Sequence, residues 1–352
     1  MRHGSNINPP KRFERVHQEA DWEHLQWDQE FLDQQAGAEI QYIDDSSQSI
    51  VSENESPDIP FRYSLNPYRG CIHGCAYCYA RPTHEYLGFS AGLEFETKII
   101  VKRQAASLFR EFLSKPSWDA QTVVFSGVTD CYQPAERKFE LTLSCLQIAA
   151  DCRQPVGVIT KNALVLRDLD LLRQMSQHRL IHVAISVTTL SPQLARDMEP
   201  RTSTPVARLR AIQMLADAGV PVQLMVAPII PGLNDSEIPA ILQAGRQAGA
   251  LVAGYQVLRL PLSVLPVFEQ WLRRTQPLKA EAVLGKIRST RDGQLSDSTF
   301  GRRMSGQGVY AQQIKSTFEV FRRKLGYHEQ LPARDASQFC PPQPKSGQLM
   351  LF

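Results

Sequence analysis

The chain is predicted to be an α/β protein built on a parallel sheet, with six βα units between about residues 60 and 275. Three observations carry this. Short runs rich in Val and Ile recur along the chain. Each is followed by a segment of helical period. The runs are apolar at consecutive positions rather than alternating, which marks strands covered on both faces, in an open sheet or a barrel. With 352 residues, 43% of them hydrophobic, the chain can bury a substantial core. That length is normal for an α/β barrel with appendages.

The elements follow in order. A first strand is expected at about 62–67. "RPTHEYLGFSAGLEFETKIIVK" (81–102) is long for a βα connection and ends in its own short strand, before a helix at "RQAASLFREFLSK" (103–115). "TVVFSGVTD" (122–130) reads as a buried strand and "LTLSCLQIAADC" (141–152) as a helix. "VGVIT" (156–160) precedes helix "DLDLLRQMSQ" (168–177), and "IHVAISVTTL" (181–190) precedes helix "PVARLRAIQMLADAG" (205–219). The latter starts at Pro205 after Thr204 and stops at Gly219, a matched start and stop. "PVQLMVAPII" (221–230) with helix "EIPAILQAGRQAG" (237–249), and "LVAGYQVLRL" (251–260) with helix "PVFEQWLRRTQ" (266–276), complete the six. That is two units short of an eight-fold barrel, and the reactive face lies at the C-terminal strand ends in either geometry.

Four regions are expected: a polar, partly ordered arm (1–60) wrapping the main domain, the βα domain (61–290), a helical extension (291–335) and a flexible tail (336–352). A short helix is placed near 21–34 of the arm. In the extension, Tyr310, Ile314, Phe318, Phe321 and Leu325 share one helix face, with Arg322, Arg323 and Lys324 at its end. Packing on the barrel is preferred there over a basic lid beside a nucleic-acid groove.

A net charge of +3 permits nucleic-acid binding without arguing for it. No apolar run is long enough to span a bilayer, and the N-terminus has no signal-like apolar stretch, so the cytoplasm is expected. Seven cysteines in such a chain point to metal or catalytic work rather than disulfides.

"GCIHGCAYCYA" (70–80) holds three of them, Cys71, Cys75 and Cys78, just after the first strand. A structural zinc site wants four closed ligands, and no second pair follows, although His73 or His84 could supply a fourth. A four-iron cluster held by three thiolates keeps one iron open to a small chelating molecule. A non-enzymatic zinc or iron–sulfur module that recruits partners is the alternative function.

CxxxCxxC after the first strand of six βα units, with aromatic Tyr77 before the third cysteine, resembles the radical S-adenosylmethionine (SAM) superfamily. "NPYRGCIHGCAYCYARPTHEYLG" further resembles its spore photoproduct lyase-like branch and poorly characterised bacterial relatives. The resemblance covers roughly residues 60–275. It implies a partial (β/α)6 barrel, a [4Fe–4S] cluster on Cys71, Cys75 and Cys78, and bound SAM. It also implies an external one-electron reductant of flavodoxin or ferredoxin type. SAM would be cleaved to a 5′-deoxyadenosyl radical that abstracts hydrogen from a substrate, with nucleic acid a candidate in DNA repair or modification.

By matching strand ends, the backbone of Tyr77 would face adenine, with "VAPIIPG" (226–232) packed on it. Ser126 and Gly127 fall where the family binds the methionine amine. The family's GGE triplet is absent, so acidic help falls to Asp130 or is missing. Lys161, between Thr160 and Asn162, suits the methionine carboxylate. Thr160 and Ser186 are further cofactor candidates at strand ends, and Arg201 could fork a carboxylate or phosphate. Cys131 is a candidate hydrogen-atom donor to a substrate radical, against a plain packing role. His84, Glu85 and Tyr132 are candidates to reach substrate, whereas Cys145 and Cys152 read as core.

The last five residues, Gln348, Leu349, Met350, Leu351 and Phe352, resemble the QLxLF motif by which bacterial polymerases and repair proteins bind the DNA sliding clamp. That resemblance implies a clamp partner. Folding of Leu351 and Phe352 back onto the barrel is the alternative.

Overall fold

In the computed structural model, residues 3–13 and 39–342 are described. Seven strands form an open sheet in the order β2 (Val51–Glu53), β3 (Tyr63–Leu65), β6 (Val123–Phe125), β7 (Val156–Thr160), β8 (Ile181–Ser186), β9 (Val222–Ile229) and β10 (Val252–Val257). From β3 to β10 every pairing is parallel, with Tyr63 beside Val123, Val123 beside Val156 and Val156 beside Ile181. These are the six strands expected. They stay unclosed, so the fold is a partial (β/α)6 barrel. β2 adds antiparallel to β3.

Neighbouring side chains, which point to opposite faces, are both buried on two central strands: Val123, Val124 and Phe125 on one, and Val183, Ala184 and Ile185 on the other. Each Val, Ile or Phe among them contributes roughly 1.5–3 kcal/mol on leaving water. Helices Leu141–Asp151, Leu169–Gln177, Pro205–Asp217, Ile238–Gln247 and Val264–Thr275 fall within the expected runs or within a turn of them. The third begins as anticipated: the Thr204 side chain accepts from Ala207 N, with Pro205 in the first turn.

A second, three-stranded sheet forms around the short strand expected at the end of 81–102, and its two other strands are not legible in the sequence. Its order is β1 (Gln41–Asp44), β5 (Lys98–Val101), β4 (Tyr68–Arg69). β4 and β5 pair antiparallel, Arg69 beside Ile100. The whole excursion from Gly70 to Thr97 thus leaves and re-enters through adjacent strands, and its ends are pinned together. The cysteines therefore follow the first parallel strand through an intervening short strand rather than directly. Residues 39–60, read as part of a polar arm, supply β1 and β2.

Helix Gly308–Lys324 packs on the barrel through Ala311, Ile314 and Phe318, and the Phe318 ring lies 4.6 Å from that of Tyr255. Arg322 at its end pairs with Glu319 and Glu329. The helix expected near 21–34 and the final pentapeptide lie outside the described residues.

Candidate active site: a cysteine loop at the strand ends

The loop from Gly70 to Ala80 lies at the C-terminal edge of the parallel sheet. Cys71 and Cys75 are buried and Cys78 is partly exposed. Its shape depends on glycine at two positions. Gly70 has φ +74°, and a Cβ there would come within 2.8 Å of the Lys98 carbonyl. Gly74 has φ +63°, and a Cβ would strike the Glu96 carboxylate and the Arg201 guanidinium.

Behind the loop stands a buried ionic network. Arg81 is fully buried; it donates to the Cys75 carbonyl (2.9 Å), to the carbonyls of Ala91 and Gly92, and to Glu96 Oε1 (2.6 Å). Glu96 also accepts from Arg201 Nη2 (2.7 Å), Ser5 N (2.8 Å) and Gly4 N (3.2 Å), and its Oε2 lies 3.2 Å from His3 Nδ1. Burial alone would raise the Glu96 pKa, but Arg81, His3 and Arg201 together bring it down to about 2. Gln133 completes the frame, accepting from Ile72 N (2.9 Å) and donating to the Gly70 carbonyl (3.1 Å).

On the barrel side a second buried carboxylate, Glu199, accepts from the Tyr77 hydroxyl, from Thr188 Oγ1 (2.7 Å) and from Arg208. Arg208 also holds the Ser186 carbonyl (3.1 Å). Asp130 ties three elements together. It accepts from Thr160 Oγ1 (2.7 Å) and Lys161 N (2.8 Å), and stands 3.5 Å from His73 Nδ1. Burial, reinforced by Arg208 and Lys161, lowers the His73 pKa to about 4, so the ring is neutral. Its Nε2 meets Asn162 Nδ2 at 3.1 Å.

Lys161 lies across this space. Its ammonium donates to the Ala227 carbonyl (3.2 Å) and sits 6.0 Å from the Tyr77 ring centre. Ile230, from the expected adenine-side segment, packs in one cluster with Cys75, Ala76 and Tyr77.

The sequence candidates therefore divide. Tyr77, Lys161 and the three cysteines converge. Ser126 and Gly127 form a turn with φ +109° and +113°. The Ser126 hydroxyl is engaged inside the protein, donating to the Ile159 carbonyl (2.6 Å) and accepting from Cys131 N (3.2 Å). A serine at this φ costs about 1–3 kcal/mol, which those bonds offset. The Thr160 hydroxyl is likewise taken by Asp130, and Ser186 is buried.

Arg201 does make a carboxylate contact, but to the protein's own Glu96, and it also holds the Ile72 carbonyl. The structure gives it a loop-holding task. Cys131 is wholly buried in the main core, its Sγ 3.8 Å from the Phe125 carbonyl, and burial pushes its pKa well up. That is the setting of a packing residue. Tyr132 is buried too and donates to Asp168 (2.9 Å); His84 is buried against Phe89 and Phe95, and the buried Glu85 holds Arg12. Cys145 and Cys152 are core, as expected. Arg81, Glu96, Gln133, Glu199 and Arg208 were not found from sequence. The one signal was an acid inside an apolar run, as in "LEFETKIIV".

The thiols suit an iron–sulfur cluster. Burial, then Cys78 and Asp130, push the Cys71 pKa to about 12, and burial raises those of Cys75 and Cys78. Three bare thiolates are thus disfavoured here until a cationic centre replaces their protons. Among the described residues no three His, Cys, Asp or Glu side chains gather around a single-ion position.

Residues 65–244, just over half of the chain, match the radical SAM superfamily. The chain belongs to the radical SAM superfamily. An uncharacterised protein of Mycobacterium tuberculosis is 41% identical over 221 residues, covering 62% of this chain and 65% of that protein. One of Methanocaldococcus jannaschii is 31% identical over 176 residues, 50% of this chain and 63% of its own. The chain thus spans a little under two thirds of the curated relatives it matches. Among solved structures, spore photoproduct lyase complexed with dinucleoside spore photoproduct superposes with a TM-score of 0.59 at 15% identity, over 81% of this chain and 80% of that one. A variant of that lyase with bound AdoMet and the same dinucleoside gives 0.57 at 15% identity, over 90% and 86%. At this identity the likeness is one of fold. No helix among the described residues is long and apolar enough to cross a membrane.

Proposed function

We propose that this radical SAM protein holds a [4Fe–4S] cluster on Cys71, Cys75 and Cys78, binds SAM beside Tyr77 and Lys161, and abstracts hydrogen from a nucleic-acid substrate. The observation that carries the reading is the convergence of three thiols from one loop with a lysine from the end of a different parallel strand. Cys71, Cys75 and Cys78 would hold the cluster, which when bound would supply the one electron that cleaves SAM to methionine and a 5′-deoxyadenosyl radical. The protein's own residues do the rest. Lys161 offers a point charge for the methionine carboxylate. The Val226–Ile230 stretch and Tyr77 offer an apolar wall, and Glu199 with Arg208 locks Tyr77 in place.

Nucleic acid is favoured as substrate because the neighbouring fold is that of a lyase complexed with a dinucleoside photoproduct. In this reading a flavodoxin- or ferredoxin-type protein delivers the electron, in a reducing cytoplasm. The tail ending in Gln348, Leu349, Leu351 and Phe352 would dock on a sliding clamp, and the regions are 1–60, 61–290, 291–335 and 336–352. Anaerobic reconstitution with iron and sulfide should give broad visible absorbance, and dithionite with SAM should release 5′-deoxyadenosine. Deuterium transfer from labelled oligonucleotides into that product should identify the substrate. A colourless protein holding one zinc, with no SAM cleavage, would overturn the assignment.

A further inference from the structure

Arg259 lies two residues past β10, at the same sheet edge as the cysteine loop. It is half-buried and makes no ion pair with any described carboxylate. Its one described hydrogen bond is to Met304 Sδ at 3.7 Å, a weak acceptor for a group with five donors. Its guanidinium stands 5.7 Å from the ring centre of Tyr79, the residue after Cys78. Burial, then repulsion from Arg303, lower its pKa from the ordinary value.

Arg303 continues the row. It pairs with Asp58 (2.6 Å) and stacks on Phe300, 4.4 Å from guanidinium carbon to ring centre. The two aromatic ends are open: Tyr79 is 44% exposed and Phe300 57% exposed. The Tyr79 ring is also fixed in place, because its hydroxyl donates to the Gly127 carbonyl (2.5 Å).

We infer that Tyr79, Arg259, Arg303 and Phe300 form a binding row for a single polynucleotide strand, with bases stacked on the two rings and a phosphate on Arg259. The chemistry is specific to that ligand class. Two π faces take bases of any sequence, and a half-buried arginine that no described carboxylate contacts, Asp58 acting on it only from a distance, is completed by a phosphate oxygen pair. The row begins next to the third cysteine, so a strand laid along it passes the reacting site. Asp58 is a built-in competitor for Arg303.

The inference rests on the nucleic-acid reading above, and the test separates the two. Fluorescence anisotropy of fluorescein-labelled dT12 and U12 is followed with the reconstituted full-length protein, without SAM turnover. Binding should weaken about ten-fold in Arg259→Ala and in Phe300→Ala, with visible absorbance and unfolding temperature retained. Arg259→Ala should also reduce the slope of log affinity against log salt by about 0.7, the share of one phosphate on a single strand. Asp58→Asn should tighten binding, the reverse of what damage to the fold would do. Arg173→Ala, on helix Leu169–Gln177, should bind as wild type. Preference for dT12 assigns the row to DNA and preference for U12 to RNA; either supports it. Poly-glutamate competing as well as oligonucleotide at equal charge, or Arg259→Ala binding unchanged with wild-type salt slope, overturns it. Wild-type SAM cleavage without oligonucleotide binding removes the row and leaves the enzyme. Binding with the expected losses but no SAM cleavage removes the enzyme and leaves the row.

Discussion

The two sides of the cysteine loop are built on opposite principles. Behind it, Glu96 meets His3, Gly4, Ser5, Arg81 and Arg201, and its charge is fully answered within the chain. In front, among the described residues, the Lys161 ammonium makes one hydrogen bond, to a carbonyl, and the Arg259 guanidinium one, to a thioether. A closed network fixes a shape, because every donor has one place to go. An open set of charges stores unmet electrostatic demand, which a ligand can satisfy. The loop is thus held from the rear so that its front can remain incomplete.

The largest test of that contrast is on the front. Cys71→Ala, Cys75→Ala or Cys78→Ala should each abolish the visible absorbance of reconstituted protein while leaving urea unfolding nearly unchanged. Cys145→Ala and Cys152→Ala should keep the colour. A triad variant with an intact four-iron spectrum would mean the ligands are elsewhere.

The rear should respond in the opposite sense. Glu96→Ala leaves the buried Arg81 and the partly buried Arg201 without their carboxylate, and should cost about 3–5 kcal/mol in urea unfolding. The pH dependence has a definite sign. The folded pKa of Glu96, about 2, lies below its ordinary value of 4.5. Its contribution is therefore complete above about 4.5 and is lost as pH falls through about 2. Glu96→Gln should flatten that limb of the stability curve. A wild-type curve already flat over this range would show that the network is not holding the loop.

Lys161→Met should be milder. Removing one charge-assisted contact should raise the KM for SAM about ten-fold, with cluster absorbance retained. An unchanged KM would move Lys161 from the ligand side to the framework. Smallest of all, Cys131→Ala should cost about 1 kcal/mol as a small core cavity and leave the SAM cleavage product unchanged. An altered product would return that thiol to the chemistry.

How far the sequence reached depends on the range of the signal. Strand β7 was read to the residue, since consecutive Val, Ile and Thr in a covered strand form a local pattern. The cysteine motif was legible for the same reason, all three thiols lying within eight residues. β4 was not, because two residues make no period and its pairing with β5 is a tertiary choice. For Ser126, Thr160 and Arg201 the sequence suggests a ligand-facing role but not their partners inside the protein. Each was read as facing a ligand, and each is engaged by the protein itself.

By itself, then, the sequence determined the six parallel strands, the helix that starts at Pro205, and the three thiols at one sheet edge. Local periodicity and close spacing are enough for those. Only the tertiary structure decided which charges are answered and which are left open. Arg201 and Glu96 stand 105 positions apart, and Arg81 and Glu96 stand 15 apart. A buried ion selects its partner by distance after the chain has packed, because the penalty for leaving it unpaired arises only once water is gone.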